Sequence, residues 1–347
     1  MTDASPPIRD PGGAPGGPVA IVGCGMIGRS WAIAFARGGC EVRLHDPVKG
    51  AAAAARQTLA GQLHELAGAG LLGGQAPDEV ARRVAVAGSL AEALDGAVHV
   101  QENAPETVEL KRALFAELLA HAGAEATVAS SSSALVPSAF LDGDLAGAER
   151  CLVAHPLNPP HLVPAVELVP GPRTDPVAMD RVAALMEAIG QRPILLSREV
   201  EGFVMNRLQG ALMEEAFRLI ADGTVSPEGV DRAVRDGLGL RWSFMGPIET
   251  IDLNAPGGVV DYLERYREAY RSIAASAGPR VEWDGALAAE LERARRATLP
   301  ESGLAARRDW RDARLAALVA HKAGFAEGAA AVRDTVVRDP AADRNES

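Results

Sequence analysis

Short β-branched runs alternate with longer stretches of helical periodicity through the first two hundred residues, and then the alternation stops. Runs at 19–22, 42–45, 84–87, 98–101, 127–130, 152–154 and 194–196 read as strands. Between them Ile27, Trp31, Ala34 and Phe35 recur at helical spacing, as do Leu110, Leu114 and Leu118. Residues 48–83 read as a helical excursion interrupted by glycines near 68–74. This alternation predicts a parallel sheet with helices on both faces. Beyond residue 200, segments 203–222, 227–238, 247–275, 284–297 and 305–325 predict helices, with Gly and Pro at their breaks. The expected fold is α/β: a parallel-sheet domain over 18–200, then an all-helical domain over 201–330. The junction falls near Val200-Glu201-Gly202. The halves are too different to be repeats. The Pro- and Gly-rich segment 1–17 and the polar tail 331–347 are expected to lack fixed structure.

Composition narrows the class. The 347 residues suffice for two ordinary domains, each with its own core, and 48% hydrophobic content fits a globular enzyme. No apolar run reaches the length of a membrane span, and the first residues lack the basic-then-apolar order of a secretory signal. A cytoplasmic protein with no membrane partner is expected. Cys24, Cys40 and Cys151 are too few and too scattered for a disulfide framework or a zinc site, so no metal is expected. A net charge of −11 argues against nucleic acid as a partner. Lysine occurs only at 49, 111 and 322. With abundant Ala, Gly and Arg, that points to a GC-rich coding sequence, so alanine-rich stretches say little about function.

Gly23-x-Gly25-x-x-Gly28 follows the first strand run and opens the first helical pattern. Gly23 would allow a tight turn, Gly25 close approach of a pyrophosphate, and Gly28 close packing of helix on sheet. The helix start at Met26 and Ile27 adds partial positive charge to this cofactor site. Asp46 ends the second strand run, where it would accept hydrogen bonds from both ribose hydroxyls and repel a ribose phosphate. That favours NAD over NADP in a Rossmann-type domain. Arg43 and Lys49 are nearby cations that would soften the preference, although a strand-internal Arg43 is expected to face solvent. A plain turn would explain the glycines but not Asp46.

His155 lies in Ala154-His155-Pro156-Leu157-Asn158-Pro159-Pro160, and Glu167 follows twelve residues later. Oxidising a secondary alcohol needs a base for the hydroxyl proton, and histidine titrates in the right range. A carboxylate beside it would fix the tautomer and stabilise the imidazolium. The competing reading is a structural histidine in a proline-rich loop; His161 is the local competitor for the role of base.

His155-x-x-Asn158-Pro159, Glu167 in Val166-Glu167-Leu168-Val169, and Gly202-Phe203-Val204-x-Asn206-Arg207 resemble the 3-hydroxyacyl-CoA dehydrogenase superfamily. Gly28-Arg29-Ser30-Trp31-Ala32, Leu240-Arg241, Gly246-Pro247-x-Glu249-Thr250, Leu253-Asn254-Ala255 and Ala305-Ala306-Arg307-Arg308-x-Trp310-Arg311-Asp312 are similar to its lambda-crystallin / L-gulonate 3-dehydrogenase group. The likeness spans about 19–320, and L-carnitine dehydrogenases look similar in several of these places. It implies an NAD-dependent homodimer in which the helical domain serves substrate binding and dimerisation. It also implies His155 as base with Glu167 as partner, and Ser133 as hydrogen-bonder of the reacting oxygen. Asn206 and Asn158 would line the substrate pocket, and Glu106 would lie near the cofactor ribose or nicotinamide. Without the family, the Ser130–Ser133 run reads as a solvated strand end, and Asn206 as a helix cap or bridge.

Substrate class turns on cations. A coenzyme A thioester wants Lys or Arg along the helical excursion, and residues 50–80 offer only Arg56. Arg241, beside Trp242, could instead fork onto a free carboxylate, or form a surface ion pair. The expectation is a small free 3-hydroxy carboxylic acid, L-gulonate first. L-carnitine and a 3-hydroxyacyl-CoA are the enzyme alternatives. Carnitine would need a cage for its quaternary ammonium, for which Trp242 and Phe244 are available. A non-catalytic crystallin is the rival of another class, and the intact His–Glu pair counts against it.

Overall fold

The computed structural model describes residues 16–336, apart from 142, 144, 277, 279 and 280, with side chains as far as residue 324. The expectations for 1–15 and 337–347 lie outside these residues. Strand β1 (Val19–Val22) passes through the glycine turn into α1 (Met26–Arg37) and back to β2 (Val42–His45). The helical excursion is α2 (Ala51–Gly68) and α3 (Pro77–Arg82), followed by β3 (Val84–Val86). Then come α4 (Leu90–Leu94), β4 (His99–Glu102), α5 (Val108–His121) and β5 (Thr127–Ser130). The sheet closes with β6 (Cys151–Pro156), β7 (Ala165–Pro170), α6 (Pro176–Ala188) and β8 (Arg192–Leu195).

The eight strands form one sheet in the order β3-β2-β1-β4-β5-β6-β7-β8. All pairings are parallel except β6 with β7. The expected sheet was wholly parallel, with no strand at 165–170. The 157–164 connection is shorter than the dozen or so residues a parallel crossover needs, so the chain folds straight back. Glu167 in mid-strand hid the element, because a charge breaks the apolar run. Along β1, Val19 and Ile21 enter one core with Trp31, Phe35, Leu59 and Met186. Ala20 and Val22 enter the other with Phe115, Leu118, Phe140 and Phe203. Both faces are thus covered, as parallel sheets require. The buried stripe of α5 is Lys111, Phe115, Leu118 and Leu119, with Leu110 exposed. Leu118 is in the core and Leu114 packs against it, while Lys111 is buried by its pairing with Glu102.

The chain divides into two compact units, Met1–Val204 with Arg311–Ser347, and Met205–Trp310. The first is discontinuous, whereas the sequence reading placed everything from 201 to 330 in the second. The second unit holds α7 (Met205–Ala221) and α8 (Pro227–Arg232), which runs through a π-helical turn, Ala233–Leu238, into α9 (Gly239–Trp242). Next are α10 (Pro247–Leu253), α11 (Gly258–Ser276), α12 (Gly285–Arg296) and the start of α13 (Leu304–Val336). The single helix expected at 247–275 is broken at 254–257. Gly258 has φ 74°, and the Asp252 carboxylate accepts the Val259 N–H to start a new helix. Beyond Arg311, Leu315, Ala316, Val319 and Ala320 pack into the sheet domain's core, and the helix runs on to Val336. Among the described residues no helix is long and apolar enough to cross a membrane.

Candidate active site

The glycine turn has the shape its spacing predicts. Gly23 has φ 87°, and a Cβ there would sit 2.9 Å from the Asn103 carbonyl. At Gly28 a Cβ would lie 1.9 Å from the Gly23 oxygen, which only glycine avoids. Gly25 is different: a Cβ would meet nothing within 4 Å. Its missing side chain leaves open space at the N-terminus of α1, beside Met26, and a pyrophosphate fits there. Ile27 packs instead against the core. At the end of β2, Asp46 Oδ2 accepts the Cys24 N–H at 2.7 Å and Oδ1 accepts that of Val48 at 2.9 Å. The acid pins the turn, and each oxygen keeps a lone pair for a ribose hydroxyl. These residues fit NAD. Arg43 is half-buried and, in exposed contacts, donates to the carbonyls of Glu92 and Asp95 at the end of α4. Lys49 is exposed.

In the β6–β7 ladder His155 pairs in register with Glu167, and Nδ1 lies 2.7 Å from Oε2. Both are buried, His155 at 4% and Glu167 at 0% exposure. Glu167 Oε1 also accepts the Val204 N–H at 2.6 Å. The turn that delivers Val204 has two left-handed residues, Gly202 (φ 74°) and Phe203 (φ 50°). A positive φ is costly for Phe, and here it sets the Phe203 ring 5.4 Å from the imidazole. Gly202-Phe203-Val204 is therefore a support for the pair. With Nδ1–H given to Glu167, the other ring nitrogen carries the lone pair that a base requires.

His161, the local competitor, is differently placed. Burial pushes its pKa down to about 4, and the Arg37 and Arg29 charges push the same way. Its Nδ1 has no hydrogen-bond partner among the described residues. It has no carboxylate, and its carbonyl is held by Arg37.

The serine run is tied down rather than solvated. Ser130 donates to Glu102 at 2.7 Å and Ser131 to Asn103 at 2.8 Å, while Ser132 donates to Glu106. Parallel pairing of β4 with β5 puts Glu102 opposite Ser130, so one acceptor faces each serine in turn. Glu102 is further paired with buried Lys111 at 2.8 Å. Ser133 is exposed, and its N–H donates to Glu106 at 2.6 Å. Glu102, Asn103 and Lys111 were missed by the sequence reading. Their signal was a polar pair closing a strand one register step from a serine run.

Asn158 is exposed, and its amide reaches the Met26 sulfur at 3.7 Å, tying the 157–164 loop to the start of α1. Arg56, the lone cation of the excursion, donates to the Val84 carbonyl at 2.7 Å. Asn206 is the second residue of α7, two residues after Val204 in the chain. Arg241 lies exposed in α9; the bond from Tyr270 raises the Tyr262 phenol's pKa, and the Arg241 charge works weakly the other way. Both belong to the second unit. Among the described residues no group of His, Cys, Asp and Glu could hold a metal ion.

Residues 18–200 match the family model "3-hydroxyacyl-CoA dehydrogenase, NAD binding domain", and 202–298 match "3-hydroxyacyl-CoA dehydrogenase, C-terminal domain". The chain is 45% identical to the lambda-crystallin homolog of Bos taurus over 88% of its own length and 95% of that protein's. It is 38% identical to the L-carnitine dehydrogenase of Streptomyces griseus, covering 80% of this chain and 78% of that one. Among solved structures it is similar to a 5-formyl-3-hydroxy-2-methylpyridine 4-carboxylic acid 5-dehydrogenase, an NAD+-dependent dismutase. That match has a TM-score of 0.74, 25% identity, and coverage of 88% of this chain and 98% of that one.

Proposed function

This chain belongs to the 3-hydroxyacyl-CoA dehydrogenase family, and from that premise we propose that it oxidises the 3-hydroxyl of a small free carboxylic acid. NAD dependence and oxidoreductase chemistry come with the family. The observation that carries the reading is the buried His155–Glu167 pair at 2.7 Å. Bound NAD supplies the hydride acceptor. His155 takes the hydroxyl proton on Nε2, while Glu167 holds Nδ1–H and stabilises the imidazolium. Ser133 hydrogen-bonds the reacting oxygen, and Asn158 and Asn206 help orient the substrate.

The free acid is favoured over a thioester because residues 50–80 carry a single cation, Arg56, whose Nε is given to the Val84 carbonyl. Arg241 is the residue assigned to the carboxylate. L-gulonate is the first candidate, and the dehydrogenase of similar fold named for a pyridine carboxylic acid supports the class. L-carnitine is the second reading. Trp242 and Phe244, both exposed, are the aromatic faces available to its quaternary ammonium. NADH production from L-gulonate, L-carnitine, 3-hydroxybutyrate and its coenzyme A thioester, compared side by side, tests the choice. Preference for the thioester would overturn it.

The reading includes a homodimer. Among the described residues, the buried apolar cluster of the second unit is Phe217, Ile220 and Leu287. Helix α11 buries nothing, while Val260, Leu263, Tyr266, Tyr270 and Ile273 are exposed along it. A stripe of that size calls for cover, and a second copy supplies as much apolar surface as it receives.

A further inference from the structure

We propose that Ser131 is a positioning residue for the cofactor: with Asn103 and Trp31 it braces the start of α1 against the sheet and so fixes the seat of the pyrophosphate. The inference rests on the reading of the Gly23–Gly28 turn as that seat, and not on the choice of hydroxy acid.

Three side chains meet at the Ser131 hydroxyl. It lies 3.0 Å from Trp31 Nε1, 2.7 Å from Gln101 Nε2 and 2.8 Å from Asn103 Oδ1. A hydroxyl has one proton to give and two lone pairs to receive with, so these bonds use its whole capacity. Their directions are forced. Trp31 Nε1–H can only donate. Asn103 turns its Nδ2 to the carbonyls of Gln101 at 2.9 Å and Val22 at 3.3 Å, which can only accept. Its Oδ1 must therefore take the Ser131 proton, and Gln101 must donate to Ser131. That turns Gln101 Oε1 to His99 Nε2 at 3.1 Å, leaving His99 Nδ1 to accept from the Thr127 hydroxyl at 2.8 Å. The imidazole is neutral in this arrangement, in keeping with a pKa that burial takes down to about 4. From α1 to β5 the network has one way of being satisfied, and a network of that kind specifies one geometry.

Asn103 carries that geometry to the glycine turn. Its N–H donates to the Val22 carbonyl at 2.7 Å. Its own carbonyl stands 2.9 Å from where a Cβ on Gly23 would lie, and its Nδ2 3.2 Å from one on Gly28. Gly28 and Trp31 are three residues apart, on one face of α1. The contacts thus close a ring, from Gly28 through Asn103 and Ser131 to Trp31 and back along the helix. The N-cap of α1 is Gly25, so no capping side chain fixes where the helix begins. The ring does so instead, and the N–H groups it places are those that face a pyrophosphate. With its hydroxyl spent on the brace, Ser131 has a different task from the exposed Ser133.

The experiment reads cofactor affinity against stability. Ser131→Ala strands the Trp31 and Gln101 donors and the Asn103 oxygen. By calorimetry, Kd for NADH and Kd for ADP-ribose should both rise about tenfold, since both ligands carry the pyrophosphate and this is the scale of a hydrogen bond left unmade. Ser131→Thr, which keeps the hydroxyl, should return both. In the Ser131→Ala background Asn103→Ala should cost little further, because the two act through one contact. Should Ser131→Ala not fold, Trp31→Phe keeps a ring in the core, removes only the N–H, and should weaken both ligands by about threefold. A serine that serves stability alone would lower Tm and leave both affinities as in wild type, which would overturn the assignment. So would a loss confined to NADH, since that places the effect at the nicotinamide end. Wild-type protein that binds neither ligand would instead defeat the cofactor reading, and the brace with it.

Discussion

Glu167 stands opposite His155 in the antiparallel ladder of an otherwise parallel sheet, with carboxylate and imidazole 2.7 Å apart and shut away from water. The two cannot drift apart without breaking strand pairing. His155→Asn should therefore remove the base with little change elsewhere, lowering kcat by roughly 10²–10⁴ while NAD still binds as in wild type. Glu167→Gln should slow turnover less, because the imidazole remains. Normal turnover by a folded His155→Asn protein would rule out this base.

Asp46 is the second test. Asp46→Ser removes the charge that repels a ribose 2′-phosphate, so the ratio of kcat/KM with NAD to that with NADP should move toward NADP. The same acid pins Cys24 and Val48 N–H, so Asp46→Ser should also weaken both cofactors by loosening the turn. An unmoved ratio would take Asp46 off the ribose.

The sheet alternation, the glycine turn and the His–Glu pair were legible because each rests on short-range pattern: apolar runs, glycine spacing, a histidine and an acid in known neighbourhoods. What escaped depends on contacts distant in sequence. Strand β7 was hidden by Glu167, whose burial makes sense only once His155 is beside it. The burial of Lys111 in α5 escaped because its partner is Glu102, an ion pair that no periodicity announces. The serine run read as a strand end because its acceptors sit on the neighbouring strand's exit. Glu106 also accepts the 133–135 N–H groups on one oxygen, contacts some twenty-seven residues apart that no local pattern announces.

Acid should destabilise the sheet domain through two buried imidazoles. Burial takes His99 down to about 4, and His161 to about 4, from 6.5. Above pH 6.5 both are neutral in folded and unfolded chains alike. Between 6.5 and 4 only the unfolded chain takes up the protons, so stability is lost as pH falls through that window. The loss is on the order of 3 kcal/mol per group when the whole shift is expressed. Tm measured from pH 7 to pH 4 should fall, and His161→Gln should make the slope shallower. An unchanged slope would clear His161 of the effect.

Arg241 tests the substrate class. Arg241→Met should cut kcat/KM for the free acid about 10- to 150-fold, the worth of a charge-assisted hydrogen bond of roughly 1.5–3 kcal/mol. Arg241→Lys should recover only part, since an ammonium cannot make the planar fork. An ester of the same acid should be a poor substrate and nearly indifferent to the change. Equal losses for acid and ester would make Arg241 structural.

The stripe on α11 gives a prediction about mass. Leu263→Glu with Tyr270→Glu places two charges where a second copy should pack. Sedimentation should then show a species of half the wild-type mass. A wild-type protein that already sediments as a monomer would remove the dimer from the reading.

Helix α13 leaves the sheet domain's hydrophobic interior unfinished until the second unit has been made. Leu315, Ala316, Val319 and Ala320 fill it alongside residues made some three hundred positions earlier. During synthesis the Rossmann portion emerges first, waits while the whole helical unit is translated, and receives its closing contact only afterwards. The helical unit is thus an insertion in a split domain. A stop codon just after Trp310 would spare every residue assigned to chemistry and yet deliver a protein with an open seam for chaperones and proteases to find.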